Sequence, residues 1–309
     1  MKKLDFHVHI LDDIPVEESI RHFKELCARK GYEGVGIMSL THDDDHYHPE
    51  ANAQSLAIKA AMPGSYAFAN PDHSRDFVEQ AKEFMAAGFD GIKLLDGKPS
   101  CHRVLGYSYG HPRYEALFAF CEAEQIPLMI HVNDPKANWD PALVSESAKR
   151  NGWFYGDGTV PTHEEFKVMM EEVLRRHPNL RAAIAHMGFY ADELPRAAAL
   201  LDKYPNLYLD ITPALPIYYQ LCETPTESKA FFEKYHDRLI FGTDCYNDLT
   251  EGNKRRTFND RKTDVLTTFF TGPAPKEIKG HLITPIYLSQ DKLENIYYNN
   301  ALAFMKKDR

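Results

Sequence analysis

No stretch of this 309-residue chain is apolar for long enough to cross a bilayer, so the sequence predicts no transmembrane helix. Excess positive charge is absent too. The formal net charge is −9, which argues against non-specific binding to nucleic acid. The first residues, Met1-Lys2-Lys3-Leu4-Asp5-Phe6, lack the apolar stretch of a signal peptide, and the expected compartment is the cytoplasm. Cysteines are few: five, widely spaced, with no Cys-x-x-Cys pair. That pattern excludes a disulfide framework and a zinc–thiolate cluster. Cys27 and Cys121 read as small core residues. Cys245, directly after Thr243-Asp244, has two readings, packing beside a site or a reactive thiol. Packing is the stronger, because thiols react only where the thiolate is favoured. There is no low-complexity stretch and no linker long or polar enough to divide the chain. One domain over 1–309 is expected.

What the chain has is alternation. Short apolar strands at 4–10, 34–40, 65–69, 91–95, 127–132, 182–185, 207–211 and 239–242 are separated by amphipathic helical segments. Several strands are continuous apolar runs, as parallel strands covered on both faces require. A helix opens at Pro15 and stops at Gly31, and a second, over 74–87, stops at Gly88. Thr162-His163-Glu164-Glu165 reads as a capping box before a helix that ends near His177-Pro178. Further helices are predicted over 192–204, 226–236 and 290–306. Eight β/α units in order imply an α/β fold of the (β/α)8 TIM-barrel type, with its site at the C-terminal ends of the strands. A doubly wound open sheet is the alternative. Two connections are long. The one after strand five, 133–161, carries Trp139, Trp153, Phe154 and Tyr155; the other, after strand eight, runs from 245 to about 259. Long loops on that face are lids or substrate walls, or plain surface. Residues 272–285 are irregular and unassigned.

The first strand reads Leu4-Asp5-Phe6-His7-Val8-His9-Ile10. Residues two apart on a strand share a face, so His7 and His9 point one way and Phe6 and Val8 the other. Such a pair offers half a tetrahedral nitrogen site to Zn²⁺ or a similar ion, although two surface histidines give the same string. Five of the other strands also carry polar residues at or near their ends: Lys93 in strand four, His131 in five, His186 in six, Asp210 in seven and Asp244 in eight. A single buried histidine is ordinarily a hydrogen-bonded core group. Four histidines and an aspartate at one end of four barrel strands converge, and that convergence points to a metal site.

These residues, with Ala185-His186-Met187-Gly188, Phe241-Gly242-Thr243-Asp244 and the closing Asn299-Asn300-Ala301 segment, resemble the metal-dependent amidohydrolase superfamily. The resemblance is to its amidohydrolase-related branch, which also contains decarboxylases and hydratases, and it spans nearly the whole chain. It implies that His7, His9 and His131 are metal ligands together with the strand-eight carboxylate Asp244. It implies that His186 assists catalysis in one-metal members and binds a second metal in two-metal members. Lys93 stands where two-metal members carry a carbamylated lysine, and otherwise it can bind a substrate carboxylate. One divalent metal, Zn²⁺, is the favoured cofactor, with Mn²⁺ or a second metal as alternatives. A polymerase-and-histidinol-phosphatase-type metal domain shares the His-x-His start and is the runner-up.

A metal held this way lowers the pKa of a bound water and polarises a carbonyl. Asp244 can then take the proton and His186 can hydrogen-bond the water or the developing oxyanion. The first reading is therefore hydrolysis of a small ester, lactone or amide. The second is non-oxidative decarboxylation of a small, flat carboxylic acid, and the third a non-catalytic binding barrel. The expected partner is a small molecule, with a symmetric dimer as the default assembly. Three other clusters carry less. The His- and Asp-rich segment 42–48 reads as a solvated loop or a pocket wall. Lys254-Arg255-Arg256 reads as a solvated charge run or an anion contact. One of His102, Arg103, His111 and Arg113 is placed to meet substrate.

Overall fold

The computed structural model describes residues 1–10, 14–40, 49–247 and 254–306. The strands are β1 (Asp5–His9), β2 (Val35–Met38), β3 (Tyr66–Ala69), β4 (Gly91–Gly97), β5 (Leu128–Val132), β6 (Ala182–Ile184), β7 (Leu207–Asp210), β8 (Leu239–Ile240) and β9 (Cys245–Tyr246). All pair in parallel, in the order β8-β7-β6-β5-β4-β3-β2-β1-β9. β8 and β9 are the two halves of strand eight, the first paired with β7 and the second with β1. Between them Phe6 N–H donates to Phe241 O at 3.0 Å and Asp244 N–H donates to His7 O at 2.8 Å. The sheet thus closes into a (β/α)8 barrel, which excludes the open doubly wound sheet.

β1 departs from simple alternation. Its register with β2 slips between Asp5 and Val8. Phe6 joins Met38, Phe68, Met129, Ala183 and Ile240, one residue from each of six strands, in the barrel interior. Val8 packs with Phe23 and Leu26 of the first helix. Phe6 and Val8 therefore lie on different faces, contrary to the alternation expected for them. A bulge inserts one residue and re-aims its neighbours, so both histidines still reach the interior.

The helices lie in the intervals. Val16–Lys30 and Phe77–Ala87 end at left-handed Gly31 and Gly88, as the sequence predicts. His163–Arg176 carries the expected capping box, with Thr162 and Glu165 bonded reciprocally. Pro49–Ala61, Arg113–Glu124, Leu194–Lys203 and Pro225–Tyr235 fill further intervals. The connection after strand eight is interrupted: β9 takes its first residues, and the helix Lys254–Thr271 begins before 259. Part of the unassigned 272–285 segment forms an antiparallel hairpin, β10 (Lys276–Ile278) with β11 (His281–Ile283). The last segment is helical in three parts: Gln290–Glu294, a π turn over Asn295–Asn299, and Asn300–Met305. Buried Asn300 donates from Nδ2 to His236 O and Leu239 O, both at 2.7 Å. That bond ties the Asn-Ala ending to strand eight. No helix among the described residues is long and apolar enough to cross a membrane.

Candidate active site

Strands one, four, seven and eight bring His7, His9, Lys93, Asp210 and Asp244 together. His7 is fully buried; its Nδ1–H donates to the Asp210 carboxylate, which also accepts the Thr212 N–H at 2.8 Å. This fixes the His7 tautomer and leaves the Nε2 lone pair facing inward. His7 Nε2 lies 3.2 Å from His9 Nε2, and His9 Nε2 lies 2.9 Å from Asp244 Oδ1. The three ligand atoms of His7, His9 and Asp244 all fall within 4.8 Å of one another. Two nitrogen lone pairs at this separation, with a carboxylate beside them, repel unless a proton or cation lies between. The donor set therefore fits a divalent ion of the zinc class.

His186 and His131 follow the same rule. The Nδ1–H of His186 donates to Thr212 O at 3.1 Å, and the Nε2–H of His131 to Asn133 O at 2.7 Å. Each imidazole thus commits one nitrogen to a backbone carbonyl and keeps the other. The His186 ring lies 5.9 Å from His7 and 5.0 Å from His131, measured between centroids. His131 lies outside the three-residue group that His7, His9 and Asp244 form. The backbone turns sharply at these strand ends. Asn133, His186, Met187, Phe189 and Asp244 all have positive φ without being glycine. Such strain persists where surrounding structure enforces it, as at functional sites.

Burial dominates the electrostatics. It lowers the pKa of His9 and His131, holds His7 well below the ordinary value, and brings His186 down to about 4. All four are neutral near pH 7, the form that binds metal. Burial also brings fully buried Lys93 down to about 8, against the pull of Asp210 and Asp244. Its Nζ sits 3.4 Å from His7 Nε2. Asp244 behaves otherwise: burial would raise its carboxyl, but Lys262 and His9 hold it well below the usual range. Gly242 makes the approach possible, since a Cβ there would meet His7 Cβ at 2.6 Å.

The long connection after β5 forms one wall. Tyr155 Oη donates to Asp134 Oδ2 at 2.7 Å, and Trp139 packs on Tyr155 and on His163, at 4.9 and 5.2 Å between centroids. Arg103 holds this connection by donating to Gly152 O and Phe154 O, both at 2.8 Å. Arg113 donates to Tyr107 Oη at 2.6 Å and His73 O at 2.7 Å. Both arginines are thus engaged with protein. Phe189 packs at a tilt on His186, 5.6 Å between ring centroids, and borders a cleft with Lys136, His163 and Gln220. Cys245 is buried, and burial pushes its thiol up to about 12, so it packs beside the site as an unreactive group. Residues 42–48 lie outside the described residues, as do the side chains of Lys254 and Arg255.

Three contributors escape a reading of strand ends. Asp5 accepts Thr243 N–H at 2.9 Å and Thr243 Oγ1–H at 2.6 Å, holding strand eight against β1. Thr212 serves both Asp210 and His186. Lys262 reaches Asp244 from the helix Lys254–Thr271. Asp5 was signalled as a charge in an apolar strand; nothing in the pattern singles out Thr212 or Lys262.

A family model described as Amidohydrolase matches residues 28–306, and the chain belongs to that family. It is an enzyme of the amidohydrolase type, acting on small molecules, in a family whose members generally bind a divalent metal. The match begins after β1, so His7 and His9 rest on geometry. No curated protein matches the chain. Among solved structures it is similar to an amidohydrolase from Burkholderia multivorans with bound zinc, at 10 % identity and a TM-score of 0.57, covering 99 % of each chain. It is also similar to dihydroorotase from Campylobacter jejuni, at 15 % identity and 0.56, covering 100 % of this chain and 85 % of that one. A third is 2,6-dihydroxybenzoate decarboxylase from Rhizobium, at 16 % and 0.54, covering 100 % and 99 %. At these identities the likeness is one of fold.

Proposed function

We propose that this enzyme hydrolyses a small ester, lactone or amide with the help of one divalent metal, Zn²⁺ being the favoured ion. The convergence of His7 Nε2, His9 Nε2 and Asp244 Oδ1 carries the reading. These groups would hold the ion; His131, the strand-five histidine read as a further ligand, lies outside their group with Nε2 on Asn133 O, so only its Nδ1 is left to offer. When bound, the ion lowers the pKa of a water and polarises the substrate carbonyl. The chain's own groups do the rest. Asp244 accepts a proton from the attacking water and returns it to the leaving group. His186, with Nδ1 engaged by Thr212 O, turns Nε2 inward to hydrogen-bond the water or the developing oxyanion. Lys93, buried among the histidines, offers a charge to a substrate carboxylate. Trp139 and Tyr155 pack together in the wall formed by the connection after β5.

Decarboxylation of a small, flat carboxylic acid is the second reading. The same aromatic wall suits a ring, and one similar structure is named as a decarboxylase of 2,6-dihydroxybenzoate. Turnover of esters, lactones and aryl carboxylic acids in ¹⁸O-labelled water separates the two. Label in the product carboxylate supports hydrolysis; CO₂ release without label in the organic product supports the lyase. Asp244→Ala should lose turnover by several orders of magnitude, roughly 10²–10⁴-fold for the proton transfer alone. Near-normal turnover in that variant would overturn the assignment.

A further inference from the structure

Lys262 lies 18 residues beyond Asp244 and is 1 % exposed. A buried ammonium is costly unless paired. Its Nζ donates to Asp244 O at 2.5 Å and also to Asp244 Oδ2. The other carboxylate oxygen, Oδ1, faces His9 Nε2 at 2.9 Å. The ammonium is capped by two rings, Phe258 at 4.6 Å and Tyr246 at 5.8 Å from the centroid. Tyr246 stacks in turn on His9, 5.4 Å away at an interplanar angle of 30°. Asp244 itself has φ of 56°. A non-glycine residue in this region needs its peptide groups held. Its N–H is held by His7 O at 2.8 Å, and its C=O by Lys262.

We propose that Lys262 is a positioning residue for the metal site: it divides the two oxygens of Asp244. Oδ2 stays on the ammonium and Oδ1 is turned toward His7 and His9. Asp244 is thereby limited to a one-oxygen ligand, and the strained strand end is locked in the orientation that delivers it. This rests on the reading of His7, His9 and Asp244 as a divalent-metal site. The groups that would hold the metal are on the strands, and the group that aims the carboxylate is on the helix Lys254–Thr271.

The test compares apo wild type, Lys262→Met and Lys262→Arg, each titrated with Zn²⁺ against a chelator of known affinity and, separately, loaded with Co²⁺ for its visible absorption spectrum. Circular dichroism establishes which variants fold. Losing a hydrogen-bond partner of a metal ligand typically weakens binding about 10–100-fold. Lys262→Met should show that loss and a Co²⁺ spectrum of altered shape, because the freed Oδ2 can also coordinate. Lys262→Arg, which keeps the charge, should recover part of the affinity. If Lys262→Met does not fold, Lys262→Arg decides: its wider head group should still shift the Co²⁺ spectrum. Wild-type affinity with an unchanged spectrum in the variants that fold overturns the proposal while leaving the metal site intact. Absence of Zn²⁺ binding by wild type overturns the metal reading itself, and this inference with it.

Discussion

The Nδ1–H of His7 donates to the Asp210 carboxylate, 203 residues further along the chain, with both side chains 1 % exposed. Through that bond the end of strand seven sets which nitrogen of a strand-one histidine is free. Asp210→Ala should therefore weaken Zn²⁺ binding about 10–100-fold, whereas Asp210→Asn, which keeps an acceptor oxygen, should lose less. Chelator competition measures both. Equal affinity in Asp210→Ala and wild type would show that the pair serves packing alone.

Gly242 is where strand eight passes closest to β1. A Cβ on it would meet His7 Cβ at 2.6 Å, His7 N at 3.0 Å and Thr212 Cγ2 at 3.0 Å. Overpacking of this kind costs typically about 1–3 kcal/mol. Gly242→Ala should lower the denaturation midpoint and weaken metal binding together, since the atom displaced belongs to His7, a proposed ligand. Loss of stability with unchanged metal affinity would mean that the backbone yields away from the site.

Buried His163 brings a pH dependence. Burial, helped by Lys167 and Lys136, brings its pKa down from 6.5 to about 3, and its Nε2 has no hydrogen-bond partner among the described residues. With the folded pKa depressed, the unfolded chain binds the extra proton between those values. Stability from this residue is thus complete above about pH 6.5 and is lost as pH falls toward 3. His163→Phe should flatten the fall in unfolding free energy between pH 6.5 and 4, measured by urea titration. Parallel curves for variant and wild type would remove His163 as a cause.

Cys245 adjoins Asp244, yet its thiol is buried and pushed up to about 12. Cys245→Ala should keep turnover within a few-fold of wild type, and Cys245 should resist iodoacetamide until the protein is unfolded. An orders-of-magnitude loss of turnover would make the thiol a participant.

Much of this was legible in the residues, for physical reasons. Parallel strands covered on both faces read as apolar runs, so all eight strands stand out, and the polar residues within or after six of these runs mark the end of the barrel where side chains meet. Caps such as Thr162-x-x-Glu165 are local chemistry, and local chemistry is written in sequence. What stayed hidden depends on register and distance. The slip in β1 that sends Phe6 inward is decided by pairing with β2, and the break in strand eight by its sharing between β7 and β1. Lys262 was unreadable because a helical lysine usually faces water, and only the packing of Lys254–Thr271 on Asp244 makes it otherwise.

The closure of strand eight against β1 also has a consequence in time. Ribosomes add about 5–20 residues per second, so His7 emerges roughly ten to forty seconds before Asp210, and Asp244 follows later still. The joint at Phe241 further needs Ile296, whose carbonyl accepts the Phe241 N–H at 3.0 Å. During synthesis the two histidines of β1 are offered to the cell without their acidic partners. The proposed metal site can be completed only after Asp244 has been made, because its contacts join the two ends of the chain, and such long-range contacts are slow to form. Lesions near residue 296 should therefore be read out first as failure to acquire metal.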